Sequence, residues 1–411
     1  MSLTKNVRRW AFYGFANHSY QVVYVAFILP IFFSNFFVRY SIGLSAWGVA
    51  TGVSTVLGII LALFFGKYAD KNNKHTVYAW SIFITAFSMY AMAVASMYSI
   101  LVLYFLFIIT NALFIWSLAL YDSILPHVSD TSTVYEYGGF AWGFGYLGGI
   151  VSLILALIFQ YFFGTYSFIV FLSVPVFYIL FSMYSLAGLK NVSFNSENVT
   201  QTEQLGKIQS TRESVAPTQA LSIQNKIVLF VGYWLISECV TVIGLFAATY
   251  LSGEMHFSTL QVGIAFLGLQ LIAFPSTWYG GKLARKYNTL YLLGGTILGW
   301  GLALTILVFF HLGFVGLGIA IFLMGLVYGN SQSYLRSQYA TLIKKSESGF
   351  QFGIYSFVSE AAVIVGPIVY GIASDRLHSQ KLPLIGLFVL MVTGFYLVWI
   401  ITRNLKSIKQ F

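Results

Sequence analysis

Two carboxylates stand where a membrane-spanning helix can least accommodate them. Glu238 is the only acidic residue between Ile227 and Leu251, and Glu360 sits at a similar depth in an apolar run over 350–373. A central acid costs an inserting helix about 2.5–3.5 kcal/mol, so intramembrane ionisable residues are the first candidates for function. Glu238 follows Lys226 by twelve residues, roughly 18 Å of helix at about 1.5 Å per residue, near the middle of a bilayer. All 22 Lys and Arg fall in loops, tails or run ends, so neither acid has an obvious permanent cation. An unpaired carboxyl in a low-dielectric medium favours its neutral form until water or solute arrives, which suits a proton carrier. The alternative for each is a protonated Glu hydrogen-bonded to backbone or Ser, tuning helix packing. His18, next to Asn17 in the first apolar run, is placed to pair with either acid; a lone His in a helix is more often a satisfied polar group.

The elements that hold these residues follow from composition. The chain has 411 residues, 58% hydrophobic, 18% aromatic and only 8% charged, with a mean hydropathy of +0.80. Soluble domains carry roughly 25% charged residues, which makes this a polytopic membrane protein. Apolar runs long enough to span recur about twelve times, near 10–38, 46–66, 75–96, 98–121, 136–161, 166–188, 227–251, 258–280, 289–310, 312–335, 350–373 and 383–402. The first continues too far, without a small-residue cleavage pattern, to be a signal peptide. The expected fold is therefore all-α, with about twelve transmembrane helices in two six-helix halves, 1–189 and 226–411. A polar stretch rich in Ser, Thr, Gln and Asn, 190–225, reads as a flexible linker between them.

Charge sets the orientation. With the N-terminus inside, all but three of the 22 basic residues, Arg39, Arg376 and Lys381, lie on the inner side. That bias predicts an integral multi-pass protein with both termini in the cytoplasm. It also accounts for the net charge of +10 through the bilayer surface rather than nucleic acid. The single cysteine, Cys239, rules out an intrachain disulfide or a cysteine metal site. No His-Glu-x-x-His, nucleotide-binding glycine loop or Gly-x-Ser-x-Gly elbow occurs, so neither an enzyme nor a cofactor or metal is expected. The glycine cluster Gly138–Gly149 lies inside a span with no preceding strand, and reads as close helix packing.

The halves echo each other. "GKYADKNNK" from Gly66 and "GKLARKYNT" from Gly281 each follow the second helix of a half, the mark of a duplicated transporter fold. Gly66, Asp70, Lys71 and Lys74 resemble the loop motif of the major facilitator superfamily, G-x-x-x-D-R/K-x-G-R/K-R/K, with Asn73 in place of its second Gly. Asn tolerates the positive φ such a turn can require. The resemblance implies that this loop gates the cytoplasmic side, its Asp holding neighbouring helix ends together. Arg285 stands where the second copy would have its Asp, which confines that role to the first loop.

Longer strings resemble one branch, the vacuole effluxer family of autophagy-related transporters. "WAFYGFANHSY" is similar to its W-x-x-Y-D-x-A-N-S opening. "LYDSILPHVSD" and "GGFAWGFGYLGG" are similar to its L-Y-N-x-x-L-P and glycine-rich fifth-helix segments. "QSYLRSQYATLI" and "FQFGIYSFVSEAAVIVGPIVYG" resemble its Q-x-x-S-R-S and F-F-G-x-Y-S…G-P-x-x-x-G strings, and "GYWLISECV" lays Glu238 onto an acid of its seventh helix. Gly14 replaces the family's acid in helix one, Leu335 replaces a Ser, and Glu360 stands near a usual Lys. In the resembled fold, helices one, four, seven and ten line a central cavity beside two, five, eight and eleven. That implies Asn17, His18, Asn111, Trp142, Tyr146, Glu238, Asn330 and Glu360 as lining residues for substrate or protons. The implied function is alternating-access transport of a small organic solute, amino-acid-like and coupled to protons, by a monomer. Export of a lipophilic compound or drug is the alternative within transport. A non-transporting receptor or scaffold is the alternative outside it, and would gain nothing from a gate motif or central acids.

Overall fold

The computed structural model describes residues 4–130, 133–190, 223–309, 313–342, 347–360 and 362–408. Most of the expected linker, 191–222, lies outside the described residues. Among those described, the secondary structure is helical throughout. A bilayer offers no water to backbone N–H and C=O groups, and only a helix satisfies them within a single segment.

The first half comprises α1 (Lys5–Tyr40), α2 (Gly43–Lys71), α3 (Lys74–Ala95), α4 (Ile100–Asp122), α5 (Val134–Phe163) and α6 (Phe168–Leu189). The second comprises α7 (Ile223–Thr249, prolonged by a wide turn to Glu254), α8 (Thr259–Lys286), α9 (Thr289–Phe309), α10 (Gly313–Leu342), α11 (Ser348–Glu360 continued by Ala362–Leu377) and α12 (Lys381–Ile408). Eleven helices among the described residues are long and apolar enough to cross a membrane; α11 is described in two segments. The start of α1 and the end of α12 lie on one face of the bundle, the terminal face.

Polar side chains start several helices where the sequence changes from loop to apolar run. Ser99 accepts from Val102 N at the head of α4, and Ser258 with Gln261 forms a capping box on α8. Asn73 does the same for α3, accepting from Thr76 N. Its φ is −70°, so the turn after Asp70 needs no left-handed residue and the expected positive φ is not used.

The packing is duplicated. Pairs α1–α6, α2–α4 and α3–α4 in the first half have their counterparts in α7–α12, α8–α10 and α9–α10. The broadest seams between halves run along α2–α11 and α5–α8. Small residues make them possible. A Cβ on Gly48 would fall within the Pro367 carbonyl, and one on Gly139 would lie 2.7 Å from Gly281 Cα. The close helix packing expected of the glycine cluster is therefore observed.

The core of the first half is aromatic. Trp10 stacks on Tyr121 at 4.7 Å, and Tyr13 OH bonds Ser117 Oγ at 2.6 Å and meets Tyr178 OH at 3.1 Å. These contacts tie α1, α4 and α6 into one body. Within α1, residues Tyr20–Ile28 widen to a π-helix, Leu29 N bonding the Tyr24 carbonyl five residues back. Pro30 follows at once and has no N–H to donate. The wide turn absorbs that mismatch and turns Gln21, Val22 and Val25 toward the bundle axis.

Candidate functional site

A cavity of about 210 Å³ lies between the halves. Helices α1, α2, α4 and α5 contribute His18, Gln21, Thr51, Thr55, Asn111, Trp142 and Tyr146; α7 to α10 contribute Thr241, Gln270, Trp300, Tyr328 and Gln332. The wall mixes aromatic, aliphatic and uncharged polar side chains. Trp142 Nε1 donates to Tyr146 OH at 3.1 Å, and the Tyr146 and Tyr328 rings meet across the halves at 6.3 Å. Asn111 Nδ2 donates to Ser54 Oγ at 2.8 Å, holding α4 against α2.

Three lining residues also carry polar atoms sealed inside the helix contacts: among the described residues, Thr55 Oγ1, Gln270 Oε1 and Trp300 Nε1 are buried without a partner. Leaving a buried polar atom unpaired costs about 1–3 kcal/mol, so the packing around the cavity carries a local cost that a shift of these helices would relieve. His18 bonds within its own helix. Its Nδ1 lies 2.9 Å from both Gly14 O and Asn17 Oδ1. Because the Gly14 carbonyl can only accept, Nδ1 donates to it, and Nε2 is left out of both contacts.

Toward the terminal face the cavity narrows to a pocket of about 10 Å³ bordered by Asn17, His18, Gln21, Tyr121, Trp142 and Arg336. Arg336 closes it. Its guanidinium donates to Asp122 Oδ1 at 2.7 Å and to Gly138 O at 2.9 Å. It also lies over the Trp142 ring at 4.6 Å and near Trp10 at 5.7 Å. Arginine is suited to this setting because its planar ion combines directed donors with stacking faces. It belongs to the second half, and each of these partners to the first.

Arg336 corrects the expectation that every cation is peripheral. The apolar run ends at 335, yet α10 continues to Leu342, and Arg336 is only 1% exposed. Asp122 and Arg336 lie in separate sequence strings 214 residues apart, so only folding brings them together.

The loop after α2 is tied to the second half. Asp70 accepts from Gly349 N at 2.9 Å and Phe350 N at 2.7 Å, at the head of α11, and pairs with Lys74 at 2.8 Å. Lys74 Nζ also donates to Ser348 Oγ at 2.8 Å. A carboxylate on a helix N-terminus meets free N–H groups and the positive end of the dipole. Gly66 belongs to the same contact, since a Cβ there would lie 2.5 Å from Gly349 O. Lys71 is exposed and takes no part in an ion pair among the described residues.

Contrary to expectation, the second loop also bridges the halves. Arg285 pairs with Glu136, at the head of α5, at 2.9 Å. The signs are reversed relative to a motif Asp, and the acid comes from the opposite helix, which a search for Asp in the loop misses. At the far face the α2–α11 pair carries a further latch. Asp375, near the end of α11, accepts from Ser45 N at 2.9 Å and Leu44 N at 3.3 Å, at the head of α2.

The implied lining residues divide. His18, Asn111, Trp142 and Tyr146 border the cavity, and Asn17 borders the small pocket below it. Asn330 does not: its Nδ2 donates to Ser276 Oγ and Leu326 O, within the α8–α10 contact. Glu238 is buried, but its carboxyl turns sideways to α11, where the missing Cβ of Gly366 leaves it room. Thr241 and Gly244, one and two turns further along α7, line the cavity in its place. The side chain of Glu360 lies outside the described residues. Gln270 and Gln332 escaped the sequence reading, although an uncharged amide within an apolar run is itself a signal.

Two helical halves, joined by glycine seams and latches around a buried polar cavity, define a membrane transporter. Residues 19–367 match the model of the Major Facilitator Superfamily, and the chain belongs to that family. It is 20% identical to an uncharacterized MFS-type transporter of Bacillus subtilis, YxiO, over 96% of this chain and 94% of that one. Autophagy-related protein 22 of Candida glabrata is 24% identical over 42% of this chain and 34% of its own length. Among solved structures, the human organic anion transporter MFSD10 superposes with a TM-score of 0.68 at 14% identity, covering 95% of this chain and 99% of that one. The nucleoside transporter NupG gives 0.65 at 13% identity, covering 97% and 100%. The chain is thus a multi-pass membrane transporter, not an enzyme.

Proposed function

We propose that this transporter carries a small zwitterionic or amphipathic solute, amino-acid-like in size and polarity, by alternating access across a membrane whose cytoplasmic side is the terminal face. One observation carries the reading: the cavity between the halves has an uncharged wall in which the polar side chains of His18, Gln21, Asn111, Gln270 and Gln332 stand among aromatic and aliphatic ones. Such a wall can orient ammonium and carboxyl groups without trapping either as a permanent ion pair. Transport runs on a gradient, and we assign proton coupling to Glu238. Beside the α7–α11 contact it can gain or lose a proton as those helices shift, without touching the solute.

Counterflow in proteoliposomes tests both parts. The chain is expected to exchange radiolabelled neutral amino acids, with a flux that responds to an imposed pH gradient. Glu238→Gln should abolish the pH response while leaving exchange and thermal stability near wild type. Absence of exchange for every amino acid would overturn the solute class; unchanged pH response in the variant would overturn the role of Glu238.

A further inference from the structure

The central cavity has a neighbour that the transport reading does not use. A second cavity of about 70 Å³ lies within the second half toward the far face, lined mainly by α7 to α10 with Tyr370 of α11 and Leu384 of α12. Ile243, Ala247, Phe266, Leu269 and Met324 border both cavities, so the two share a wall of movable apolar side chains. The remaining lining is aliphatic or aromatic. Its two tyrosines present only their rings, because Tyr250 OH donates to Leu307 O at 3.2 Å and Tyr370 OH donates to Gln380 O at 3.4 Å.

A space with no free polar atom offers water nothing to bond, and apolar cavities of this kind stay dry and accept apolar guests. Its volume is several times the roughly 10–15 Å³ that one water requires on this measure, enough for a short aliphatic chain or a branched alkyl group. The polar wall and the apolar annex together describe the two ends of one ligand.

We propose that the annex is a specificity subsite that takes the aliphatic side chain of the transported solute while its polar end remains in the central cavity. The proposal rests on the reading of the central cavity as the solute site. It commits to a ligand with a polar head and an unbranched or singly branched hydrocarbon tail of about three to five carbons. Met324 and Leu269, at the shared wall, are the side chains that move to admit it. Each methylene seated in the annex should tighten binding roughly three- to fourfold, until the space is full.

Two homologous ladders test this on the purified full-length protein by thermal shift titration. One runs through alanine, 2-aminobutyrate, norvaline and norleucine; the other through propionate, butyrate, pentanoate and hexanoate. The apparent Kd is expected to fall about three- to fourfold per carbon in at least one ladder. Ala320→Leu, which fills the annex, should flatten that ladder beyond its second member while sparing the shortest. Leu304→Ala, which enlarges it, should extend the gain by one or two carbons, and reads the same subsite should the filled variant fold poorly. A rising carboxylate ladder beside a silent amino-acid ladder upholds the annex and overturns the amino-acid reading. A ladder that keeps its slope in Ala320→Leu and its length in Leu304→Ala overturns the annex, as does silence of both ladders.

Discussion

Removing Arg336 should unlatch the terminal face, and the size of the effect follows from what the guanidinium leaves behind. Arg336→Gln strands the Asp122 carboxylate, itself only 9% exposed, without its counter-ion, and removes a donor from Gly138 O. Removing one member of a buried pair costs about 3–5 kcal/mol, chiefly through the charge left uncompensated. That cost falls only on the state in which the halves meet at the terminal face, because opening exposes Asp122 to water. At about 1.4 kcal/mol per tenfold, the closed population should drop roughly a hundred- to several-thousand-fold relative to the open one. The chain has one cysteine, so Cys239→Ser gives a clean background for spin labels. Tyr68 on α2 and Tyr287 just after α8 are 50% and 62% exposed on opposite halves, and suit labelling by Tyr→Cys. Pulsed dipolar spectroscopy should show the label distance lengthening in Arg336→Gln. The double variant Arg336→Met, Asp122→Leu should return much of the short distance, since no charge is stranded. An unchanged distribution in Arg336→Gln would refute Arg336 as a closing element. Equal lengthening in both variants would refute the stranded charge as its cause.

The two latches on α2 and α11 should act in opposite senses. Asp70→Asn weakens charge-assisted bonds worth about 1.5–3 kcal/mol each and should lengthen the Tyr68–Tyr287 label distance. Asp375→Asn should leave that distance short and lengthen one between labels at Tyr40 and Leu382, both exposed at the far face. The glycine seam can be probed by stability alone. Gly48→Ala drives a methyl into the Pro367 carbonyl and should cost about 1–3 kcal/mol, seen as a lower melting temperature. Gly318→Ala and Gly295→Ala, where a Cβ meets nothing within 4 Å, should be neutral or stabilising by up to about 1 kcal/mol.

Much of this architecture is legible in the sequence because a bilayer permits few solutions. Apolar runs of spanning length dictate helices, and the repeat after the second helix of each half dictates duplication. The Asp70 contact is of a kind a sequence can suggest: its partners are backbone N–H groups at a helix head, so no particular partner residue has to be recognised. Side-chain direction was not legible. Glu238 and Thr241 are neighbours on α7, yet one faces α11 and the other the cavity. That difference is decided by Gly366, 128 residues away, which lacks the atom that would displace the carboxyl. Asn330 was misplaced likewise, since Ser276 and the Leu326 carbonyl draw its amide toward α8. The Arg336–Asp122 pair escaped because a cation near a helix end reads as interfacial until a tryptophan-lined socket is found to receive it.

The latches at the two ends of α2 and α11 are both made in this structure, each an aspartate of one helix seated on the head of the other. In a carrier that works by alternating access, the two faces must not open together. In such a cycle the pair would act as a see-saw whose pivot is whichever end remains tied. At the terminal face Arg336–Asp122 and Arg285–Glu136 hold the halves as well. Loosening Asp70 and Asp375 together should therefore open a leak only once those pairs are broken too. The second clasp would then be protective, keeping the barrier sealed whatever solute the cavity holds.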